Sequence, residues 1–344
     1  MAEARFDNLL AVLRRERPER PTLFEFFLNE RLYAQLSGRP VDQQPDPWLG
    51  RWRWMMEAYY QAGYDYVTVI GSPFHFPIAD QQRAASLSQN EGAVIRNRAE
   101  FEAYEWPDPE NHDYGRLEAL GELLPPGMKL VLHGPSGVFE NTTRLVGYEN
   151  LCYLVADDPA LAGAIFDAVG ERLLRHYELG LAYDSVGAII GNDDWGHKTQ
   201  TALPPELMRR YVFPWHQRIV AAAHAVGKPA ILHSCGNRQE IMEDIIEVMA
   251  YDGLHSYEDL ILPVEEAYEQ FAGRIAIIGG IDVDFLCRST PAEIQARCRA
   301  MLERTAERGG YALGSGNSIP AYVPDASYLA MVGTVRDVAV ANGG

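Results

Sequence analysis

This chain of 344 residues has little cysteine and no long apolar run. Its 4 cysteines are Cys152, Cys235, Cys287 and Cys298, and no two of them form a CxxC pair. So few cysteines without regular spacing exclude a disulfide scaffold and predict reduced thiols in a cytoplasmic protein. No apolar stretch is long enough to cross a membrane. Residues 1–16 lack the apolar centre of a signal peptide and are typical of an amphipathic helix.

Positive charge is also scarce. The chain has 30 Lys and Arg residues against 48 Asp and Glu residues, which gives a net charge of -18. This excess of acidic side chains disfavours a nucleic acid or an anionic membrane surface as partner, and it argues against a polyanionic substrate. Its simplest consequence is solubility. The contents of 47% hydrophobic and 23% charged residues are ordinary for a globular protein.

Three familiar motifs are missing as well. No Gly-x-Gly-x-x-Gly sequence follows an apolar run and opens a helix, which disfavours a dinucleotide-binding fold. Neither the Gly-x-Ser-x-Gly turn of serine hydrolases nor the Gly-Lys-Ser/Thr sequence of phosphate-binding loops occurs. The chemistry therefore has to come from polar side chains scattered along the chain.

What the chain does contain is eight short apolar runs, separated mostly by helical patterns. This alternation is typical of parallel strands, and eight of them predict an α/β protein with a closed (β/α)8 barrel, or TIM barrel. An open doubly wound sheet is the alternative. No Gly/Ser-rich linker divides the sequence, so we predict one domain over residues 1–344, with the N-terminal helix outside the barrel. The predicted strands lie at 21–27, 64–70, 128–132, 186–190, 230–237, 253–257, 275–278 and 311–313.

Helical patterns fill most of the intervals between these runs. One interval, 74–109, is long and aromatic, and we predict an irregular excursion there. The helix over 204–226 is expected to bend at Pro214. The predicted helices after the N-terminal one lie at 48–62, 114–124, 147–155, 159–181, 204–226, 238–249, 264–271, 291–308 and 324–341.

The fifth apolar run ends in His233 and Cys235. Residues i and i+2 of a strand point to the same side, so the imidazole and the thiol are expected to face the same way. Both are preferred ligands of zinc, which makes the pair a candidate metal site. The alternative is a buried strand end, in which the histidine bonds a carbonyl and the cysteine packs as a small apolar group.

Other strands also end in polar side chains, and active sites of TIM barrels lie at these ends. Four are candidate catalytic residues, for proton transfer or for completing a metal shell: Asp193, Asp194, His255 and Glu258. Five are candidate substrate-binding residues: His133, Trp195, Tyr257, Asp282 and Asn317. Tyr66 and Tyr322 would extend an aromatic wall. The alternatives are local: the aspartates could cap turns or helices, and His255 and the aromatic side chains could belong to the core.

Several segments, mostly in the C-terminal half, resemble the uroporphyrinogen decarboxylase superfamily. They are His233-Ser234-Cys235-Gly236, Gly253-Leu254-His255, Gly279-Gly280-Ile281-Asp282 and the run at 311–316, with 192–196 and Pro214 ahead of them. The resemblance implies a (β/α)8 barrel, in agreement with the strand count. It is weaker before about Gly180.

The superfamily has two well-known arms. True decarboxylases grip the carboxylates of a tetrapyrrole with an N-terminal Arg-Gln-Ala-Gly-Arg motif, whereas this chain has Phe-Glu-Phe-Phe-Leu-Asn-Glu-Arg at 24–31. Cobalamin-linked methyltransferases, including those that methylate coenzyme M, bind zinc through a His-x-Cys pair and a later cysteine. His233 and Cys235 match the pair, but residues 314–320 contain no cysteine. The chain therefore resembles the methyltransferase arm more closely.

The resemblance implies a corrinoid-linked methyltransferase. It would move a methyl group between a small methylated compound and cobalamin or another corrinoid, free or carried on a partner protein. Zinc would bind His233 and Cys235, with a third ligand from Asp193, Asp194, His255 or Glu258. Two alternatives stay open: a carboxy-lyase acting on a porphyrinogen or a smaller acid, and a barrel that only binds a small molecule or a corrinoid protein.

Overall fold

Eight short parallel strands form the centre of the protein, as shown by a computed structural model that describes residues 3–39, 49–78, 90 and 92–341. The strands are β1 (Thr22–Leu23), β2 (Tyr66–Ile70), β3 (Lys129–His133), β4 (Val186–Asn192), β5 (Ala230–His233), β6 (Gly253–His255), β7 (Ala276–Ile278) and β8 (Tyr311–Leu313). The helices are α1 (Phe6–Leu13), α2 (Glu30–Ser37), α3 (Leu49–Ala62), α4 (Arg98–Ala103), α5 (Arg116–Leu123), α6 (Val138–Val146), α7 (Tyr148–Asp157), α8 (Pro159–Leu181), α9 (Pro205–Tyr211), α10 (Phe213–Ala225), α11 (Val264–Phe271), α12 (Val283–Arg288), α13 (Pro291–Thr305) and α14 (Asp325–Ala341).

The strands follow one another around the barrel. Parallel hydrogen-bond ladders join neighbours in the order β1-β8-β7-β6-β5-β4-β3-β2. At the two ends of this order, side-chain hydrogen bonds join β2 to the segment that directly follows β1. Tyr66 donates its hydroxyl to the Glu25 carbonyl at 2.8 Å, and the Thr68 hydroxyl donates to the Phe26 carbonyl at 2.8 Å. The predicted (β/α)8 barrel is confirmed.

Helix α1 lies across the amino-terminal end of the barrel. The Phe6 N–H donates to the carbonyl of Gly127, just before β3, and the Gly310 N–H, just before β8, donates to the carbonyl of Glu16. A Cβ added to Gly253, the first residue of β6, would lie 2.7 Å from the Leu13 side chain. The apolar face of α1 therefore covers this end, so the strand ends on the opposite side are the ones left open to ligands.

Two predicted helices differ from the structure. The pattern over 204–226 forms two helices, α9 and α10, which meet at Val212, because Pro214 has no N–H to continue a helix from α9. The segment 238–249 forms a short 3-10 turn and a π-helical turn, Asp244–Val248, instead of an α-helix. The Asp244 carboxylate is held there by a two-pronged ion pair with Arg209 of α9, a distant contact that no local pattern encodes.

Four helices lie outside the predicted ones: α2, α4, α6 and α12. Each is short, between 6 and 9 residues, so its periodicity is weak. Helix α4 falls inside the segment predicted to be irregular, of which residues 79–89 and 91 lie outside the described residues. None of the described helices is both long and apolar enough to span a membrane.

Candidate metal and substrate site

Three polar side chains meet where β4 and β5 end. Asn192 pairs with His233 in the ladder, which places Asp194 next to Cys235. One ligand atom each from Asp194, His233 and Cys235 lies within 4.8 Å of the others. Asp194 Oδ1 accepts the Cys235 N–H at 2.8 Å and lies 3.9 Å from His233 Nε2, which is itself 3.8 Å from Cys235 Sγ. The structure thus brings His233, Cys235 and Asp194 together.

The Cys235 sulfur also receives two hydrogen bonds from neighbouring loops. Asn317 Nδ2 lies 3.2 Å from Sγ, and Ser256 Oγ lies 3.5 Å from it. Burial raises the pKa of the thiol to about 12, and the Asp194 carboxylate raises it further, whereas the Ser256 hydrogen bond and the positive charge of Arg238 oppose the increase. The group is therefore a thiol at neutral pH, and a metal ion would have to displace its proton.

Arg238 places a buried positive charge beside this cluster. Its guanidinium donates to the carbonyls of Ser234 and Ser256, the residues that directly follow β5 and β6. Ser256 has a φ of 93°, a region that residues other than glycine rarely adopt. The arginine therefore ties two neighbouring strand ends together and holds a strained turn, which fixes the spacing of the side chains that these ends carry.

His255 contacts His233 rather than the carboxylate of the cluster. The two Nδ1 atoms lie 2.7 Å apart, and His255 Nε2 is 3.2 Å from the Ser315 carbonyl oxygen. Burial lowers the pKa of His233 to about 3, and the charge of Arg238 acts in the same direction. Burial also holds the pKa of His255 well below its ordinary range, and His233 lowers it further. Both rings are therefore neutral at physiological pH.

Glu25 is a buried carboxyl group that the sequence reasoning missed. It lies in the first apolar run, is fully buried, and accepts hydrogen bonds from the Ser315 N–H at 3.2 Å and the Ser315 hydroxyl at 2.8 Å. Burial raises its pKa to about 8, although the bonds from Ser315 oppose this. The one signal in the sequence is an acidic residue inside the run Leu-Phe-Glu-Phe-Phe, where a buried strand would otherwise be apolar.

Glu25 should make the stability of the protein depend on pH. Its pKa is about 8 in the folded state against an ordinary 4.5. Between these values the folded state keeps a proton that the unfolded state releases, so the free energy of unfolding should fall as the pH rises, by a few kcal/mol at most. Glu25→Gln should remove this part of the decline. Urea unfolding of both proteins at a series of pH values checks it, and parallel curves would contradict it.

Asp193, by contrast, binds the backbone N–H groups at the start of helix α6. Its carboxylate is completely buried and accepts hydrogen bonds from the N–H groups of Phe139 and Glu140 at 2.8 and 2.9 Å. His216 Nε2 lies 3.0 Å from the same carboxylate. Both oxygens are thereby occupied, so the structure does not bring Asp193 into the group formed by its neighbour Asp194.

A cavity of about 900 Å³ opens next to Cys235. This volume is within the usual range of small-molecule sites. Besides Cys235, four predicted site residues line it, together with the aromatic Tyr322: Tyr257, Glu258, Asp282 and Asn317. The loops after β6, β7 and β8 supply most of its wall, so it lies at the end of the barrel predicted to hold the site.

Two of these lining residues have defined local roles. Asp282 accepts the N–H of Phe285 at 3.0 Å and that of Asp259 at 2.8 Å, so it caps helix α12 and holds the loop after β6. Tyr257 is buried, and its hydroxyl has no hydrogen-bond partner among the described residues. The carboxylate of Glu258 and the amide of Asn317 remain as polar groups on the wall.

His133 and Trp195 lie next to the site without lining this cavity. The His133 ring packs edge-on against Phe26 at 5.3 Å, and Phe26 in turn lies 4.9 Å from the ring of His233. Burial lowers the pKa of His133 to about 4. Trp195 is fully buried and packs against His216 at 4.8 Å. Their predicted contact with a substrate stays a prediction.

The donor atoms of the cluster fit a zinc ion. A nitrogen, a sulfur and an oxygen atom are the ligand types that zinc prefers, and catalytic zinc sites typically have three protein ligands and one open position. Bonds of about 2.0–2.3 Å in a tetrahedral shell place ligand atoms roughly 3.5 Å apart. The separations of 3.8 and 3.9 Å from His233 Nε2 to Cys235 Sγ and Asp194 Oδ1 need little adjustment.

Comparison with known proteins identifies the family. The model of the uroporphyrinogen decarboxylase (URO-D) family matches residues 88–338, and the chain belongs to this family. The predicted superfamily is thereby confirmed. No match is found among curated proteins.

Solved structures that share the fold include the following two. A methyltransferase from Methanosarcina mazei superposes with a TM-score of 0.71 at 16% identity, covering 98% of this chain and 99% of that chain. A candidate vitamin-B12 independent methionine synthase from Listeria monocytogenes superposes with a TM-score of 0.50 at 12% identity, covering 93% of this chain and 99% of that chain. At such identities the likeness establishes the barrel and its topology.

Proposed function

We propose that this protein is a methyltransferase that moves a methyl group between a small methylated compound and a corrinoid, and that one Zn²⁺ held by Asp194, His233 and Cys235 assists the transfer. The observation that carries the proposal is the grouping of these three ligand atoms within 4.8 Å beside a cavity of about 900 Å³. The shared fold with a protein described as a methyltransferase supports it.

The residues around the cluster have roles that fit this proposal. When bound, Zn²⁺ would act as a Lewis acid toward a sulfur, oxygen or nitrogen atom of the substrate. Asn317 and Ser256 would stabilise the Cys235 thiolate through the hydrogen bonds that they already direct at its sulfur. The buried guanidinium of Arg238 would offset the negative charge of thiolate and carboxylate.

The size of the cavity fits the small methylated compound. A corrinoid would reach the site from the solvent side, either free or on a partner protein. The apolar groups at the cavity mouth, Leu260 and Tyr322, are 81% and 73% exposed. Such side chains suit contact with a large, flat, partly apolar cofactor.

Carboxy-lyase activity on a porphyrinogen has less support. Recognition of several carboxylates away from water calls for arginines that are free to bind them. Arg288 lines the cavity but pairs with Asp284 at 2.7 Å, and Glu258 and Asp282 add acidic groups to the same wall. These contacts favour a substrate with few negative charges.

Metal analysis combined with a methyl-transfer assay tests the proposal. We expect about one zinc per chain and zinc-dependent loss of the methylcobalamin absorbance when a suitable small acceptor is present. Protein stripped with a chelator should be inactive and should recover when zinc is returned. Metal-independent conversion of uroporphyrinogen at an ordinary enzymatic rate would favour the lyase. Ligand binding without turnover of either kind would favour a barrel that only binds.

A further inference from the structure

His233 has two ring nitrogens, and only one faces the candidate metal ligands. Nε2 lies near Cys235 and Asp194, whereas Nδ1 faces His255. A neutral histidine carries its proton on one nitrogen and its lone pair on the other, and only the lone pair binds a metal. Whether His233 can bind a metal at this site therefore depends on which of its ring nitrogens is protonated.

The Ser315 carbonyl determines which ring nitrogens of His255 and His233 carry protons. A carbonyl oxygen only accepts, so His255 Nε2, 3.2 Å away, must be the donor. His255 is completely buried, and its ring nitrogens are occupied by this carbonyl and by His233. Burial without a carboxylate contact to the ring favours the neutral form. Neutral His255 then carries its lone pair on Nδ1.

The same reasoning fixes His233. Its Nδ1 lies 2.7 Å from His255 Nδ1, and a contact of that length requires one donor and one acceptor. His255 supplies the acceptor, so His233 Nδ1 must carry the proton. The lone pair of His233 is then left on Nε2, directed toward Cys235 and Asp194.

We infer that His255 is a positioning residue that locks His233 in the Nδ1-protonated form, anchored by the Ser315 carbonyl, so that Nε2 is always available to a metal. Its functional meaning rests on the proposed metal site, although the first test below needs no metal. A carboxylate or carbonyl usually takes this supporting place behind a metal-binding histidine. Here a second imidazole stands between the histidine and the carbonyl.

Neighbouring residues fix the position of the Ser315 carbonyl. The Glu25 carboxyl group accepts hydrogen bonds from the Ser315 N–H and from the Ser315 hydroxyl. The Gly280 N–H donates to the same Ser315 carbonyl at 2.9 Å. Gly279 has a φ of 70°, and a Cβ there would lie 2.3 Å from the carbonyl oxygen and 3.0 Å from His255 Nε2. A side chain at this position would therefore push the anchor and the ring apart.

The tautomer of His233 can be read directly by nitrogen NMR of the metal-free protein with labelled histidine. We expect the two-bond nitrogen–proton pattern of an Nδ1-protonated ring for His233 and of an Nε2-protonated ring for His255, assigned with His233→Ala. The opposite form of His233 would overturn the inference. This readout is independent of metal, so it separates a failure of the inference from a failure of the proposed function.

Two substitutions of His255 test its role in metal binding. His255→Phe removes the acceptor and should lower zinc affinity by about 10–100-fold, the usual effect of losing such a support. His255→Gln is the matched variant, because its amide oxygen can accept from His233 and its amide nitrogen can donate to Ser315. We expect it to restore the Nδ1-protonated form and most of the affinity. Equal affinity in wild type and His255→Phe, or equal loss in both variants, would overturn the inference.

Discussion

Cys235→Ser is expected to lower the affinity for zinc by more than about 100-fold, because it removes the only sulfur ligand from a proposed set of three. The serine hydroxyl is nearly isosteric with the thiol and can still accept from Asn317 and Ser256. The free energy of unfolding should therefore change by less than about 1 kcal/mol. Competition with a chromophoric chelator gives the affinity, and urea unfolding gives the stability.

Cys287→Ser supplies the matched control. Cys287 lies on α12, is partly buried, and is outside the group of three ligand atoms. Its replacement should leave zinc binding unchanged. Stoichiometric zinc in Cys235→Ser after dialysis against a chelator would defeat the proposed site. So would a metal-loaded structure with the His233 and Cys235 side chains more than roughly 5 Å apart.

Asp193→Asn and Asp194→Asn should behave in opposite ways although the residues are adjacent. The Asp193 carboxylate is surrounded by donors, the N–H groups of Phe139 and Glu140 and Nε2 of His216. An amide there would turn its own NH₂ group toward a donor in a buried place. We expect a loss of about 3 kcal/mol or more in the free energy of unfolding.

Asp194→Asn should leave the fold intact and lower the affinity for zinc. Asp194 is partly exposed, and an asparagine oxygen can still accept the Cys235 N–H. Its unfolding free energy should stay within about 1 kcal/mol of wild type, while zinc affinity falls because a neutral amide is a poorer ligand than a carboxylate. If Asp193→Asn remained fully stable and lost activity instead, Asp193 would be the catalytic residue that its position after β4 suggests.

The barrel could be predicted from the sequence because its signal is local and repeated. Each run, such as 186–190, is apolar over the length of a buried strand and ends at glycine or polar residues. The helices that the prediction missed depend on distant partners. Helix α6 begins at Val138, but the residue that accepts its first N–H groups is Asp193, more than fifty positions later in the chain.

The candidate site was predictable in part for the same reason. His233 is the last residue of β5 and Cys235 lies two positions beyond it, so the sequence spacing predicted that the two side chains would point to the same side, although the strand itself stops at His233. Whether Asp193 or Asp194 joins them depends on the pairing of β4 with β5 and on the position of α6. The contacts of Glu25 could not be predicted, because its partner Ser315 lies 290 positions away and the meeting of β1 with β8 is a property of the closed barrel.

Helix α1 has a further consequence for the reaction proposed above. With the amino-terminal end of the barrel covered, the three candidate metal ligands and the cavity beside Cys235 are approached from the same side. A small compound would have to enter first, and a corrinoid arriving afterwards would close the passage behind it. If the proposed function holds, this geometry predicts a compulsory order of addition and release. Excess corrinoid should then inhibit competitively against the small compound, by occupying the passage of the empty protein.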